Sequence, residues 1–306
     1  MKTAFISTFG TPDVLAIGER GLRAPGPADV TVHVEAAGVN PLDLKMVAGY
    51  MQQVFPVELP YVPGTDFSGV IESVGAQVTS LKPGDRVLGR TAPSAGGAFA
   101  QTLVIAADDL SLIPAEMSAE QAAAIPTAFG TAQQALFDVG QLKPGQRVLI
   151  HAAAGGVGSM AVQLAHKAGA YVIATASRQN IDLVTSLGAD EVIDYRTQDF
   201  AKTRDVDLVL DTVGGDTLTS SWAVLRAGGR IVTLVEFGIK PANGHLGEFV
   251  FFASATPFLM QATRLFQAGH LQIITDSIFP LSEARSALEK VATGHARDKV
   301  VIRVST

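Results

Sequence analysis

The sequence predicts an α/β protein in which a doubly wound parallel sheet is inserted into a β-rich domain. Apolar strands alternate with amphipathic helices over residues 124–257, which is typical of a parallel sheet covered on both faces. Short strands between Gly/Pro turns fill residues 1–123. Residues 258–306 add strands near Leu271–Ile278 and Lys299–Val304, which we expect to rejoin the first domain. The predicted domains are therefore 1–123 plus 258–306, and 124–257.

The composition narrows the class of protein. The chain has 306 residues, of which 47% are hydrophobic and 17% charged, so a large packed core is available. A net charge of −6 without any basic run argues against a nucleic-acid partner. Cysteine is absent, which excludes disulfides and thiolate metal sites. Neither a signal peptide nor an apolar run of membrane-spanning length is visible, so we expect a cytoplasmic protein that does not contact a membrane.

A glycine-rich run joins a predicted strand, Arg147–His151, to a predicted helix, Val157–Ala168. Such a turn lets the backbone approach a pyrophosphate and places the amino end of the helix against it. The run matches the pattern G-x-G-x-x-G except that alanine replaces the first glycine, and a simple turn at a helix start is the alternative. In this context the run predicts a Rossmann domain whose dinucleotide-binding residues include Ala153, Gly155, Gly156, Val157 and Gly158.

The end of the second strand of this domain predicts which dinucleotide binds. After Ala176 come Ser177 and Arg178, and no acidic residue occurs before Asp182. A carboxylate here would hold the 2′-hydroxyl of NADH, whereas a hydroxyl and a guanidinium can donate to the 2′-phosphate of NADPH. We therefore expect NADPH as the cofactor. The alternative is that Arg178 is an ordinary solvated residue at a helix start.

Six segments in order resemble the medium-chain dehydrogenase/reductase superfamily, in particular its zinc-free quinone oxidoreductase (zeta-crystallin-like) branch. They are Ala36–Asp43, Pro63–Val70, Lys82–Val87, Ile125–Thr131, Ala153–Gly158 and Gly294–Val301. The resemblance covers nearly the whole chain. It implies that the β-rich domain is a GroES-like catalytic domain. It also implies a homodimer that pairs through the outer strand of the Rossmann sheet, near Phe249–Ala253.

The same resemblance implies that no metal is bound. In zinc-dependent members, the positions of Asn40 and Thr65 hold a cysteine and a histidine that bind zinc, and a further cysteine falls near Ala123. None of the three residues present here is a zinc ligand. The six histidines show no paired ligand spacing, and we interpret them as surface or packing residues.

The resemblance also assigns residues around the dinucleotide. It places Asn40 and Thr127 at the nicotinamide, Tyr195 beside the 2′-phosphate, and Lys299 at the cofactor phosphates; packing, turn or solvated roles are the alternatives. Residues after the next two strands should lie along the dinucleotide, because ligands bind outside the carboxyl ends of parallel strands. These are Val213, Gly214, Val235, Phe237 and Gly238.

Phe251 and Phe252 stand at the end of a further predicted strand and are candidates for the wall of the substrate pocket. Neighbouring residues on a strand face opposite ways, so at least one of them is expected in the core.

The expected reaction follows from the missing metal. Without zinc to polarise a carbonyl, acceptors already activated by conjugation remain, namely quinones and α,β-unsaturated carbonyls (enones). The prediction is an NADPH-dependent quinone or enone reductase; an enoyl-thioester reductase and a non-catalytic NADPH-binding sensor are the alternatives. Asn40 is the candidate donor to the developing oxyanion, with Tyr50 as a second. Alternatively, Asn40 only turns the backbone before Pro41.

Overall fold

The computed structural model describes residues 1–294 and 296–305. The chain divides into two compact units. Unit 1 comprises Met1–Thr127, Ala253–Gln267 and the described residues of Ile273–Thr306, and unit 2 comprises Ala128–Phe252 and Ala268–Gln272. The short segment Ala268–Gln272, which the sequence-based boundaries put with the first domain, thus groups with unit 2.

The strands, in chain order, are β1 Lys2–Phe5, β2 Ala16–Glu19, β3 Asp29–Val39, β4 Asp66–Val74, β5 Arg86–Arg90, β6 Thr102–Ala106, β7 Leu110–Leu112, β8 Arg147–Ile150, β9 Tyr171–Ala176, β10 Glu191–Asp194, β11 Val206–Asp211, β12 Leu225–Thr233, β13 Leu246–Phe249, β14 Thr275–Pro280 and β15 Lys299–Arg303. The α-helices are α1 Pro41–Val47, α2 Ala119–Ala123, α3 Pro126–Gln133, α4 Gly156–Lys167, α5 Ile181–Ser186, α6 Gly215–Ser221, α7 Thr256–Gln267 and α8 Ala284–Ala292. None of the helices in the described part of the chain is long and apolar enough to cross a membrane.

Unit 1 is built on a seven-stranded sheet in the order β14-β15-β3-β4-β5-β7, with β6 also paired to β3. The pairs are antiparallel except for β14 with β15. The tail therefore contributes two strands to this sheet. The first of them begins at Thr275 rather than at the predicted Leu271, because the chain around Leu271 is held in unit 2: the backbone N–H of Gln272 donates to the Gln163 side chain at 2.7 Å.

Unit 2 contains a six-stranded sheet in which every described pair is parallel. Its order is β10-β9-β8-β11-β12-β13. Numbered within the unit this is 3-2-1-4-5-6, the order of the Rossmann dinucleotide-binding fold. The central strands are continuous apolar runs, and Leu149, Ile173 and Val209 are fully buried, as expected for a sheet covered on both faces. The predicted fold class is thereby confirmed. Strand order reverses between β8 and β11, which is where such sheets bind ligands.

Candidate functional site

The glycine-rich run of unit 2 lies where β8 meets α4. Ala152 adopts φ +49°, a left-handed conformation unusual for a residue with a side chain. Gly155 is extended and precedes the helix, which begins at Gly156. At Gly158 a Cβ would lie 2.3 Å from the carbonyl oxygen of Ala152. Only glycine therefore fits at Gly158. The first turn of α4 meets this loop with backbone N–H groups that have no acceptor inside the helix.

His151 fixes the start of the same loop. Its ring is buried, with Nδ1 3.2 Å from the Thr175 hydroxyl and Nε2 2.9 Å from the Ser221 hydroxyl. The Thr175 hydroxyl also accepts from the backbone N–H of Ala152 at 3.2 Å. Burial lowers the pKa of His151 to about 4, so the imidazole is neutral at physiological pH. His151 is thus a neutral anchor of the strained residue Ala152, a role that the sequence analysis missed.

Three of the predicted 2′-phosphate residues lie together at the carboxyl ends of β9 and β10. Ser177 directly follows β9 and is buried, and its hydroxyl accepts from the Asn180 amide at 3.2 Å. Tyr195 follows β10, donates its backbone N–H to Ala176 at 3.2 Å and is 48% exposed. Arg178 is exposed, and within the described chain its guanidinium makes no hydrogen bond or ion pair. The group combines an available cation with two hydroxyl groups.

Asp211, at the end of β11, shapes the next two strand ends. This buried carboxylate accepts from the backbone N–H groups of Val213 and Gly214 at 3.0 and 2.9 Å, and from the Thr233 hydroxyl at 2.7 Å. Val235 lies beside Gly214, where a Cβ would approach its side chain to 2.9 Å. The sequence analysis selected Val213, Gly214 and Val235 but overlooked the acid that holds them.

Phe237 and Gly238 lie beyond β12 in an exposed loop, where Phe237 stacks on Phe249 with ring centroids 4.1 Å apart. Phe251 and Phe252 are not on a strand, and this part of the prediction is wrong. The edge strand β13 ends at Phe249 because that residue pairs with Thr233, the last residue of β12. The alternation of strand faces therefore gives no information about the two phenylalanines. Phe251 is 47% exposed.

Unit 1 contains a buried polar cluster around Asn40, which we call the Asn40 cluster and which comprises Asn40, Asp66, Arg90, Thr127 and Lys299. The Asn40 carboxamide donates from Nδ2 to Asp66 Oδ2 at 3.0 Å, and its Oδ1 accepts from Lys299 Nζ at 2.6 Å. Asn40 and Lys299 are each 4% exposed, and Asp66 is fully buried. Asn40 is the residue before the first turn of α1, and its side chain contacts these ionic groups.

Asp66 is the centre of the cluster. It accepts from the backbone N–H of Thr127 at 3.0 Å and from the Thr127 hydroxyl at 2.6 Å. Two cations flank it, with Lys299 Nζ at 3.8 Å and Arg90 Nε at 3.9 Å. Arg90 also donates to the Thr127 hydroxyl at 3.0 Å, and burial lowers the pKa of its guanidinium while Asp66 opposes that effect. Two buried cations thus surround one buried carboxylate.

Asp43 lies directly beneath the cluster, on the first turn of α1. Its Oδ2 accepts from the backbone N–H of Asn40 at 2.8 Å. Burial raises the pKa of Asp43 to about 7; the bond from Asn40 opposes this shift and the charge of Asp66 adds to it. The site therefore changes its net charge near neutral pH. Asp43 and Asp66 both stand in the quoted segments, and the spacing Asn40-x-x-Asp43 at a helix start was an available signal.

Two further predicted residues differ in their burial. The ammonium of Lys299 is buried and donates to Asn40 and to the carbonyl of Val39, and its assignment to the cofactor phosphates stays a prediction. Tyr50 follows α1 and is 81% exposed, so it does not belong to the buried cluster. The cluster instead contains Asp66 and Arg90, which the sequence analysis did not select.

Of the two groups that such folds hold, a dinucleotide and zinc, the residues present fit only the first. The dinucleotide fits: the loop at Gly158 has no room for a side chain, and the turn opens the amino end of α4. Zinc does not fit. Asn40 and Thr65 offer an amide and a hydroxyl in place of thiolate and imidazole, and the Lys299 ammonium already lies 2.6 Å from the Asn40 oxygen. Across residues 1–294 and 296–305, no group of three or more His, Cys, Asp or Glu residues could hold a metal ion.

A parallel sheet in the order 3-2-1-4-5-6 with a glycine-rich loop, in a chain that also has a β-rich unit, defines a two-domain protein of the dinucleotide-binding class. Comparison with family models agrees: an alcohol dehydrogenase GroES-like domain matches residues 26–115, and a zinc-binding dehydrogenase domain matches residues 187–302. The mitochondrial NAD(P)H oxidoreductase RTN4IP1 of Bos taurus is 32% identical to the chain, over 99% of this chain and 89% of the relative.

Two solved structures are similar over nearly their whole length. The quinone oxidoreductase from Coxiella burnetii has a TM-score of 0.90 and 33% identity, covering 100% of this chain and 99% of that one. The Escherichia coli quinone oxidoreductase complexed with NADPH has a TM-score of 0.88 and 26% identity, covering 99% and 100%. The chain belongs to the medium-chain dehydrogenase/reductase superfamily, in its quinone oxidoreductase branch, and is an NAD(P)H-dependent oxidoreductase.

Proposed function

We propose that the protein is a zinc-independent, NADPH-dependent reductase that transfers hydride to quinones or α,β-unsaturated carbonyls. The observation that carries the proposal is the Asn40 cluster. It places an amide that accepts from the buried Lys299 ammonium, and that donates to the carboxylate of Asp66 between Lys299 and Arg90, at the motif position where zinc-dependent members of the family hold a metal ligand. Hydride arriving on a conjugated acceptor leaves negative charge on its oxygen, and an amide donor backed by positive charge suits that charge.

Cofactor preference is proposed from the end of β9. The nicotinamide, when bound, supplies the hydride. Gly158 admits the pyrophosphate next to the amino end of α4. Arg178 has a free guanidinium, no acidic residue follows β9 before Asp182, and Ser177 and Tyr195 add hydroxyl groups beside it. These contacts favour NADPH over NADH, as in the Escherichia coli relative complexed with NADPH.

The role proposed for Asn40 uses the part of its amide that the cluster leaves available. Lys299 donates to Oδ1, which polarises the amide and makes its N–H groups stronger donors. One Nδ2 hydrogen is donated to Asp66. Among the hydrogen bonds of the described residues, the second has no acceptor, and we assign it to the substrate oxygen.

The test follows the absorbance of NADPH during incubation with a panel of quinones, enones and an enoyl thioester. We expect turnover with quinones and enones. Consumption only with the thioester would favour an enoyl-thioester reductase, and binding without turnover would favour a non-catalytic sensor. Asn40→Ala should lower kcat on enones by roughly 10²–10³ and leave NADPH affinity nearly unchanged. Full activity after chelation, with no zinc by elemental analysis, is expected.

We also propose a homodimer, and we retain the cytoplasmic location as a prediction. Strand β13 is an edge of the sheet, with Leu246 50% exposed and Phe237 58% exposed over Phe249. An uncovered apolar edge strand is a site for pairing with another chain. Leu246→Lys should shift the protein to monomer in sedimentation experiments, and an unchanged assembly would exclude this edge.

A further inference from the structure

Unit 2 has a second pocket at the end of α4 opposite the glycine-rich loop. Helix α4 has 12 residues and is about 18 Å long, so its last turn lies roughly 12 Å from its first. The pocket has a volume of about 350 Å³ and is walled by the last turns of α4 and α5 and by the segment Ala268–Gln272. This volume is within the range of sites for small organic ligands. The pocket is therefore separate from the dinucleotide site described above.

The wall of this pocket is built by a buried polar residue. Gln163 is 7% exposed, and its side-chain oxygen accepts from the backbone N–H of Gln272 at 2.7 Å. Its amide nitrogen donates to the carbonyl of Gln272 at 3.1 Å and to that of Ser159 at 3.2 Å. A single side chain thus binds both backbone groups of Gln272, which pins the segment carrying His270 against α4.

The described lining has three basic side chains and no acidic one. His166 and Lys167 come from the last turn of α4 and His270 from the pinned segment, and no aspartate or glutamate of the described chain lines the pocket. All three side chains are exposed to solvent. His166 packs on Gly188, where φ is +107° and a Cβ would lie 2.5 Å from the ring, so the glycine makes room for the imidazole. In a chain with a net charge of −6, three basic side chains without an acid form a distinct anion-attracting patch.

The last carbonyls of α4 are hydrogen-bonded within the chain. The carbonyls of Leu164, Ala165 and His166 accept from the backbone N–H groups of residues 168–170. These carbonyl oxygens of α4 therefore already accept hydrogen bonds from the backbone. Leu187, which is buried, supplies an apolar floor beneath the basic side chains. A ligand that matches the basic side chains and the apolar surface of Leu187 has an anionic group and a small apolar group.

We propose that this pocket, lined by His166, Lys167, Leu187 and His270, is a second ligand site that binds a small organic anion with a phosphate or carboxylate group. Lys167 and the two imidazoles hold the anionic group, and the apolar part lies on Leu187. The sequence analysis treated each histidine alone, because 104 positions separate His166 from His270 and no local spacing links them.

The test is calorimetric titration of the NADPH-saturated protein with phenyl phosphate, benzoate and inorganic phosphate. Saturating NADPH fills the dinucleotide site, so the measured heat cannot come from anions that bind there. We expect wild type to bind phenyl phosphate or benzoate more tightly than inorganic phosphate. Lys167→Gln/His270→Gln should bind at least about tenfold more weakly. Lys202→Gln, an exposed lysine elsewhere in unit 2, is the matched control and should bind as wild type does.

Equal affinity in wild type and the double variant, or no saturable heat with any probe, would overturn the proposal. Anion binding seen in a parallel titration without NADPH, but not with the NADPH-saturated protein, would assign the anion to the dinucleotide site and would also overturn the proposal. The rate of NADPH oxidation by the double variant should equal that of wild type. This readout separates a failure of the second site from a failure of the reductase function.

Discussion

The side-chain ammonium of Lys299 donates to the side-chain oxygen of Asn40 at 2.6 Å, across a sequence separation of 259 residues. The same ammonium lies 3.8 Å from Asp66, which receives the other end of the Asn40 amide at 3.0 Å. The orientation of Asn40 is therefore held from both ends by buried charge. Its amide oxygen and nitrogen cannot exchange places without losing both bonds.

Lys299→Met should destabilise the protein, because it leaves the buried Asp66 with one cation fewer. We expect a loss of about 3 kcal/mol or more in the free energy of unfolding, measured with urea. Lys45→Met, at an exposed lysine of α1, should change that free energy by less than about 0.5 kcal/mol. The double variant with Asn40→Ala should lose less than the sum of the single losses. Strict additivity would contradict the coupling.

Gly158→Ala should remove NADPH binding, because its Cβ would lie 2.3 Å from the carbonyl oxygen of Ala152 and would push the loop away from α4. Fluorescence titration with NADPH measures the effect, and circular dichroism verifies the fold. Gly21→Ala is the matched control, since a Cβ there meets nothing within 4 Å. If Gly158→Ala bound NADPH as wild type does, the loop would lie elsewhere.

Arg178→Ala should weaken NADPH much more than NADH, because only NADPH carries the 2′-phosphate proposed to meet the free guanidinium. A hydrogen bond to a charged group is worth about 1.5–3 kcal/mol, which corresponds to roughly a tenfold to hundredfold loss. The dissociation constants of both cofactors provide the measurement. An equal loss for the two would indicate a structural effect, and a wild type that prefers NADH would contradict the cofactor assignment.

Asp43→Asn tests the buried acid beneath Asn40. Because the folded-state pKa is raised from 3.8 to about 7, the protonated carboxyl contributes stability at low pH, and this contribution is lost as pH rises towards 7. The stability of Asp43→Asn relative to wild type should therefore increase between pH 4 and 7, by up to about 1.4 kcal/mol per pH unit. Urea unfolding at several pH values measures it. Asp108→Asn, at an exposed aspartate, is the control. A difference in stability between Asp43→Asn and wild type that does not change with pH would contradict the raised pKa of Asp43.

The sequence predicted the parts of the fold that have a local signal. The alternation of apolar strands and helices gave the parallel sheet, and the glycine run between β8 and α4 gave the loop. The signals for the parallel sheet and for the loop both lie in consecutive residues of the sequence. The return of the tail strands to the first domain was predicted from the mixed strand and helix pattern of residues 258–306.

The contents of the buried cluster had no such signal. Asn40 and Asp66 are 26 residues apart, and Lys299 lies 259 residues from Asn40. The orientation of the Asn40 amide depends on tertiary packing, and no periodic pattern in the sequence predicts it. The error at Phe251 has a different cause. An apolar run suggested that the strand continued, whereas an edge strand ends where its single partner ends, here at Thr233.

The position of Lys299 has a consequence for the order in which the chain folds during synthesis. Strand β15 pairs with β3, and its lysine completes the charge balance of Asp66, so the ribosome must translate nearly the whole chain first. The intervening parallel sheet of unit 2 emerges earlier and has its strands within one continuous stretch. We expect this middle unit to reach its native strand pairing before β15 has been made, while Asp66 has only one of its two flanking cations, Arg90.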